Sequence, residues 1–187
     1  MKRIFLFAVV LAIGLTGCTE AEAGLGRVLQ FRQEMMKANG CKFQANIKAD
    51  YGEDIYEFAM QCQTGEDQVM AFEICEPETI KGICGTFGTA GGKLVFEDAA
   101  LAFPTLADGL ITPVSAPWIF VQTLLGGYID TVGEEEDQLR ATVFENYEEN
   151  ALQLDIWFDS ENRPVYYEIL WQNRSVLSVS VESFEFL

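Results

Sequence analysis

The sequence predicts an α+β domain, an antiparallel β-sheet with an N-terminal helix and a helical lid. Three observations point there. Stretches near 41–48, 55–63 and 69–75 alternate apolar with polar residues, the period of half-buried strands. The segment 99–129 changes character, carrying Asp108 as its charged residue before Asp130 and interrupted by prolines. From Leu139 onwards short alternating runs return, separated by turn residues.

The elements follow in order. Lys2 and Arg3 precede an apolar run from Ile4 to Leu15, broken by Gly14 and too short to span a bilayer comfortably. Charge, apolar run and small residues together read as a secretory signal, residues 1–17. Its last four residues, Leu15-Thr16-Gly17-Cys18, resemble the bacterial lipobox. That resemblance implies that Cys18 is acylated and becomes the first residue of the mature chain. A multiply acylated cysteine meets the need for more than one chain in a stable anchor. The expected location is therefore the extracytoplasmic face of a cell membrane, with 18–24 as a lipidated tether and 25–187 as one domain.

Composition bounds the rest. The chain has 187 residues, 49% of them hydrophobic, enough for one real core. Its formal net charge is −17, and removal of Lys2 and Arg3 makes the mature part more acidic still. Such a domain repels nucleic acid and anionic headgroups, so lipid rather than a basic patch has to hold it at a membrane.

Leu25 to Ala38 reads as an amphipathic helix, with Leu25, Val28, Leu29, Met35 and Met36 near helical spacing and Asn39-Gly40 as its stop. Folding the next segment at Tyr51-Gly52 sets Phe43 opposite Met60, Ala45 opposite Phe58 and Ile47 opposite Tyr56. Cys41 then falls opposite Cys62 on the same apolar face, close enough for a bridge at a non-hydrogen-bonded pair. An even count of cysteines besides Cys18 suggests disulfides in an exported chain. The expected pairs are Cys41–Cys62 and, by elimination, Cys75–Cys84; buried free thiols are the alternative. With no His and no short Cys-x-x-Cys pairs, no metal site is expected. The third strand is placed with Met70 beside Cys62 and Phe72 beside Met60.

Gly82 to Gly92 reads as a short strand and a turn. Gly85-Thr86-Phe87-Gly88 lacks the Gly-Lys-Thr/Ser ending that grips phosphate. Lys93 to Glu97 is another strand, and a helical stretch is expected around Ala99–Leu110. Ser115 as N-cap, Pro117 in the first turn and Gly126-Gly127 as terminator frame a helix that is apolar on most of its surface. Glu134–Asp137 reads as a solvated charged loop, with calcium binding as the lesser alternative. Strands are expected near 139–145, 151–158, 165–172 and 175–186.

Taken in order, the alternating strands 41–75, the helical insertion Ala99–Ile129, and the ending Leu152–Asp159, Val165–Trp171 and Val176–Phe186 resemble the LolA-like lipoprotein-carrier superfamily. The resemblance implies a strongly curved antiparallel sheet, an incomplete barrel whose open side is plugged by helices over a hydrophobic cavity. An anchored chain is more like the acceptor member of that system or the mycobacterial lipid-binding lipoproteins. It is also similar to clostridial germination lipoproteins of the GerS type, which would imply an amidase partner.

Two functions follow as expectations. The first is binding of an apolar ligand, a lipid or an acylated protein, in a cavity lined by Phe43, Tyr56, Phe58, Met60, Phe72, Trp118, Phe120, Leu124 and Ile156; the alternative is that these residues fill the core. The second is a lipoprotein that docks and regulates a cell-envelope or spore-cortex enzyme. No enzymatic activity and no cofactor is expected, because the chain lacks His, a Gly-x-Ser-x-Gly elbow and a Walker loop.

Overall fold

The structure, a computed structural model, describes residues 17–66, 68–88, 91–95 and 105–187, with backbone alone at 17–21 and 91–95. Helix α1 (Gly17–Lys37) leads into strands β1 (Cys41–Asp50), β2 (Ile55–Thr64), β3 (Met70–Glu76), β4 (Cys84–Gly88) and β5 (Gly91–Val95). Helix α2 (Ala116–Gly126) precedes β6 (Tyr128–Glu135), β7 (Gln138–Phe144), β8 (Gln153–Phe158), β9 (Pro164–Trp171) and β10 (Arg174–Phe186). All ten strands form one antiparallel sheet in the order β5-β4-β3-β2-β1-β10-β9-β8-β7-β6, open because its two edge strands do not pair.

Alternation makes the strands and picks their inner face. Cys41, Phe43, Ala45, Ile47 and Ala49 of β1 are buried, as are Met70, Phe72 and Ile74 of β3 and Leu139, Ala141 and Val143 of β7. A flat ten-stranded sheet would be about 43 Å wide at ~4.8 Å per strand. Two helices, each about 10–12 Å across, cannot cover that width. Yet residues from β3 to β8 form one buried cluster with Val28, Phe31, Phe120 and Leu124 of the helices. The sheet therefore curls its inner face around the helices.

Helix α1 presents Gly24, Val28, Phe31 and Met35 to that face, at the spacing of one helical stripe. Gly24 allows close approach, since a Cβ there would lie 3.0 Å from side-chain atoms of Val132 and Leu139. Phe31 packs against Phe158, Phe184 and Phe186 with ring centroids 5.3, 5.5 and 5.4 Å away. The helix begins at Gly17, so the segment 18–24, expected as a tether, has helical backbone. The residues before Gly17, expected as a signal peptide, lie outside the described residues.

The strand register differs from the sequence expectation by two residues. Phe43 faces Cys62, Ala45 faces Met60 and Ile47 faces Phe58. The turn is centred one residue later than expected, with Gly52 N–H donating to Asp50 Oδ1 at 2.6 Å and Tyr51 N–H to the Asp54 carbonyl. Cys62 likewise faces Phe72, and Met60 faces Ile74. A two-residue slip returns every side chain to the same face, so the inner residues are unchanged while their partners are not.

Other differences have local causes. Residues 128–135, expected in part as a charged loop, form β6, whose exposed edge position erases the alternation that marks a strand. Glu136 and Asp137 take positive φ values of 49° and 66°, forming the tight turn into β7. Ser115 stands at the N-cap position of α2 as expected, but its side chain makes no capping bond; its hydroxyl donates to the Thr112 carbonyl at 2.7 Å. In the expected helix Ala99–Leu110, residues 99–104 lie outside the described residues. The remainder makes a bridge between Leu106 and Ile111 around a 3₁₀ turn, Ala107–Gly109. The expected strand Lys93–Glu97 is met by β5 as far as Val95 and begins earlier, at Gly91; residues 96 and 97 lie outside the described residues.

Candidate functional site

Most of the aromatic inner face is packed solid. Phe43 stacks on Phe184 at 5.6 Å and meets Phe120 edge-on at 5.8 Å. Phe120 stacks on Tyr167 at 4.5 Å, and Phe72 on Phe87 at 5.4 Å. Phe58, Met60, Leu124 and Ile156 are buried in the same core. Tyr56 lies on the surface beside Tyr51, with ring centroids 5.4 Å apart. Of the nine residues expected to line a cavity, Trp118 alone borders open space at the place described next.

That space is a pocket of about 360 Å³ at the seam between the end of α1, the middle of α2 and the β2–β3 turn. Its apolar wall is Met35, Met36, Trp118, Val121 and Leu125, and its polar end includes Cys41, Thr64 and Gln122. Its size falls within the range typical of small-molecule sites. Gly40 forms part of the floor with φ of +139°, where a Cβ would strike the Thr64 carbonyl. Glycine is therefore required for the chain to pass from α1 into β1 so tightly.

The polar end is arranged by β1 and β2. Thr64 Oγ1 accepts the Cys41 N–H at 2.9 Å and lies 3.4 Å from Cys41 Sγ. Burial pushes the Cys41 thiol up from its usual range, opposed by the bond to Thr64. Burial also pushes the Cys62 thiol well up, with Cys41 and Cys75 adding to the effect. Both thiols are thus kept protonated and unreactive. The Gln122 side chain is different: its Nε2 is buried without a hydrogen-bond partner among the described residues. An unpaired buried donor costs about 1–3 kcal/mol until something accepts its hydrogen. No feature of the sequence marked Gln122, because its role comes from a contact between distant segments.

The cysteine pairs are corrected. Among the described residues, Cys41, Cys62, Cys75 and Cys84 form no disulfide with one another. In the observed register Cys62 faces Phe43, which leaves Cys41 beside Thr64 rather than opposite Cys62. Cys84 faces Glu73 on the outer side of the β3–β4 pair, so Cys75 is not its direct partner. The side chain of Cys18 lies outside the described residues.

One polar cluster sits away from the pocket. Asp155 is buried, and receives Arg140 Nη2 at 2.6 Å, Thr142 Oγ1 at 2.7 Å and Gln153 Nε2 at 3.1 Å. Arg140 also lies 5.1 Å from the Trp157 ring centre. This carboxylate is fully partnered, a structural tie across β7 and β8.

With the geometry set out, the chain can be placed among known structures. Its fold is similar to a LolA superfamily protein from Nitrosomonas europaea, 7% identical, with 90% of this chain and 94% of that chain covered at a TM-score of 0.43. It is similar to a conserved protein from Thermus thermophilus, 11% identical, with 89% and 87% covered at a TM-score of 0.43. A third likeness is to an outer membrane lipoprotein-sorting protein domain from Vibrio parahaemolyticus, 9% identical, with 89% and 93% covered at a TM-score of 0.36. No protein-family model matches the sequence, and no curated relative matches it. The α+β class itself, an open antiparallel sheet with helices on its inner face, rests on the strand order of this chain.

Proposed function

We propose that this chain is an extracytoplasmic lipoprotein, anchored through acyl chains on Cys18, that binds an apolar ligand such as a lipid or the acyl group of another protein. It does so without catalysis. The observation that carries the reading is the seam pocket: Met35, Met36, Trp118, Val121 and Leu125 give it an apolar wall, and Gln122, whose Nε2 has no hydrogen-bond partner among the described residues, lines it as well. A ligand with an acyl chain and an ester or amide carbonyl matches both halves. Its chain takes up the apolar wall, and its carbonyl accepts the Gln122 hydrogen. The broad inner face is left to stability, because it is already filled by its own aromatic rings. The leader ending in Leu15-Thr16-Gly17-Cys18 supports the anchored half of the reading. Among the described residues no helix is long and apolar enough to cross a membrane.

Native mass spectrometry of the full chain, purified from its own envelope, tests the binding. Covalent acyl groups survive collisional activation, while a bound lipid leaves as a separate mass. The expected result is a bound lipid mass in the wild type that Trp118→Asp loses. An empty wild-type protein, or a lipid retained equally by Trp118→Asp, counts against this pocket as the site.

A further inference from the structure

Helix α1 carries a second apolar stripe that none of the described residues covers. Leu25, Leu29 and Met36 are 38%, 45% and 60% exposed, although the core-facing stripe of the same helix is buried. At 3.6 residues per turn, positions 25, 29 and 36 fall within about 40° of one another, and position 18 falls inside the same arc. The helix is continuous from Gly17 to Lys37, about 31 Å long at 1.5 Å per residue. The anchoring cysteine and the exposed stripe therefore lie along one line of one rigid rod.

From this alignment we infer that α1 docks along the surface of the bilayer, with Leu25, Leu29 and Met36 seated among the headgroups and upper acyl chains. The inference rests on the anchored reading above, because acyl chains on Cys18 bring this face, rather than another, to the membrane. A flexible tether would leave the domain free to tumble; a helical connection transmits the direction of the anchor to the whole domain. The surface engaged is that of zwitterionic lipid. The full chain has a formal net charge of −17 and its mature domain is more acidic still, so anionic headgroups repel it and apolar insertion has to supply the contact.

The orientation has a consequence for the pocket. Met36 belongs both to the stripe and to the pocket wall, with Leu125 and Gly126 also in that wall. Arg32, on the same side of α1, donates to the Gly127 carbonyl at 3.0 Å and so fixes the end of α2 beside the stripe. Docking of α1 thus sets the pocket against the bilayer, and a lipid passes between them without crossing water.

The test uses the full chain, expressed with its own leader and purified as the mature protein. Intact mass reports acylation of Cys18. The protein is then reconstituted in phosphatidylcholine vesicles containing a carbene-generating phosphatidylcholine, photolysed, and the modified residues mapped. The expected labelling of Leu25, Leu29 and Met36 is at least about five-fold above that of Gln30 and Gln33, as an interfacial helix requires. The Leu25→Glu/Leu29→Glu variant, changed at exposed positions, stays folded and membrane-bound through its lipid but loses the contrast. Equal labelling of both faces in acylated protein, absence of label, or contrast that survives in the double variant overturns the docked helix while leaving the anchor intact. An unmodified Cys18 overturns both.

Discussion

At the scale of single residues, the core keeps polar atoms that it does not satisfy, among them the Tyr167 hydroxyl. Tyr167 is fully buried and stacked on Phe120, and its hydroxyl has no hydrogen-bond partner among the described residues. Replacing it by Phe retains the stack and removes the stranded hydroxyl. Tyr167→Phe is therefore expected to stabilise the domain by about 1 kcal/mol, read from the urea midpoint at unchanged slope. A loss of stability would show that the hydroxyl has a partner in solution. Gln122 presents the contrasting case, a buried donor without a partner among the described residues, on a residue that lines the pocket. Neither residue was legible in the sequence. Tyr167 reads as one more inward-facing aromatic of a strand, and Gln122 as one polar interruption in an apolar helix.

At the scale of elements, the faces were readable and the pairings were not. Alternation identified Phe43, Phe58, Met60 and Phe72 as inward, and all are buried. The same alternation cannot distinguish registers that differ by two residues, because both present identical faces. The choice is made by the turn, where Asp50 closes on Gly52 through a local side-chain bond. The expected Cys41–Cys62 pair failed for that reason, since it depended on an absolute register, and Cys75–Cys84, expected by elimination, went with it. The pocket was out of reach for another reason, since its walls are brought together from α1, α2 and the β2–β3 turn. Its most exacting joint is Gly40, held at φ of +139° against the Thr64 carbonyl. Gly40→Ala forces either the β1 entry or the β2 end to shift, at a cost of about 2–3 kcal/mol or more. A drop in thermal midpoint together with loss of lipid in the native mass spectrum is expected; full retention of both would mean that the joint is soft.

At the scale of the whole molecule, acidity and buried phenols act together at high pH. Burial, then the hydrogen bond to Glu168, pushes Tyr166 up from 10.0 to about 12. Burial pushes Tyr167 well above its ordinary value too. Between about pH 10 and pH 12 the unfolded chain gives up phenolic protons that the folded chain keeps. The folded state binds more protons in that window, so stability falls as pH rises through it. Urea midpoints measured at pH 9 and at pH 11.5 are expected to differ in that direction, and equal midpoints would rule the phenols out as the cause. The sheet has a further property of scale. Strands β1 to β5 form one run of sequence neighbours and β10 to β6 another, and the two runs meet only at β1–β10. Each run can assemble from hairpins as the chain appears, but the seam between them joins Cys41 to Phe186 and waits for almost the entire polypeptide. A chain with that seam has a built-in delay, and on the exported reading proposed above the delay is useful: a chain threaded end-first through a narrow channel cannot close its central joint, and it remains pliable until the last strand is through.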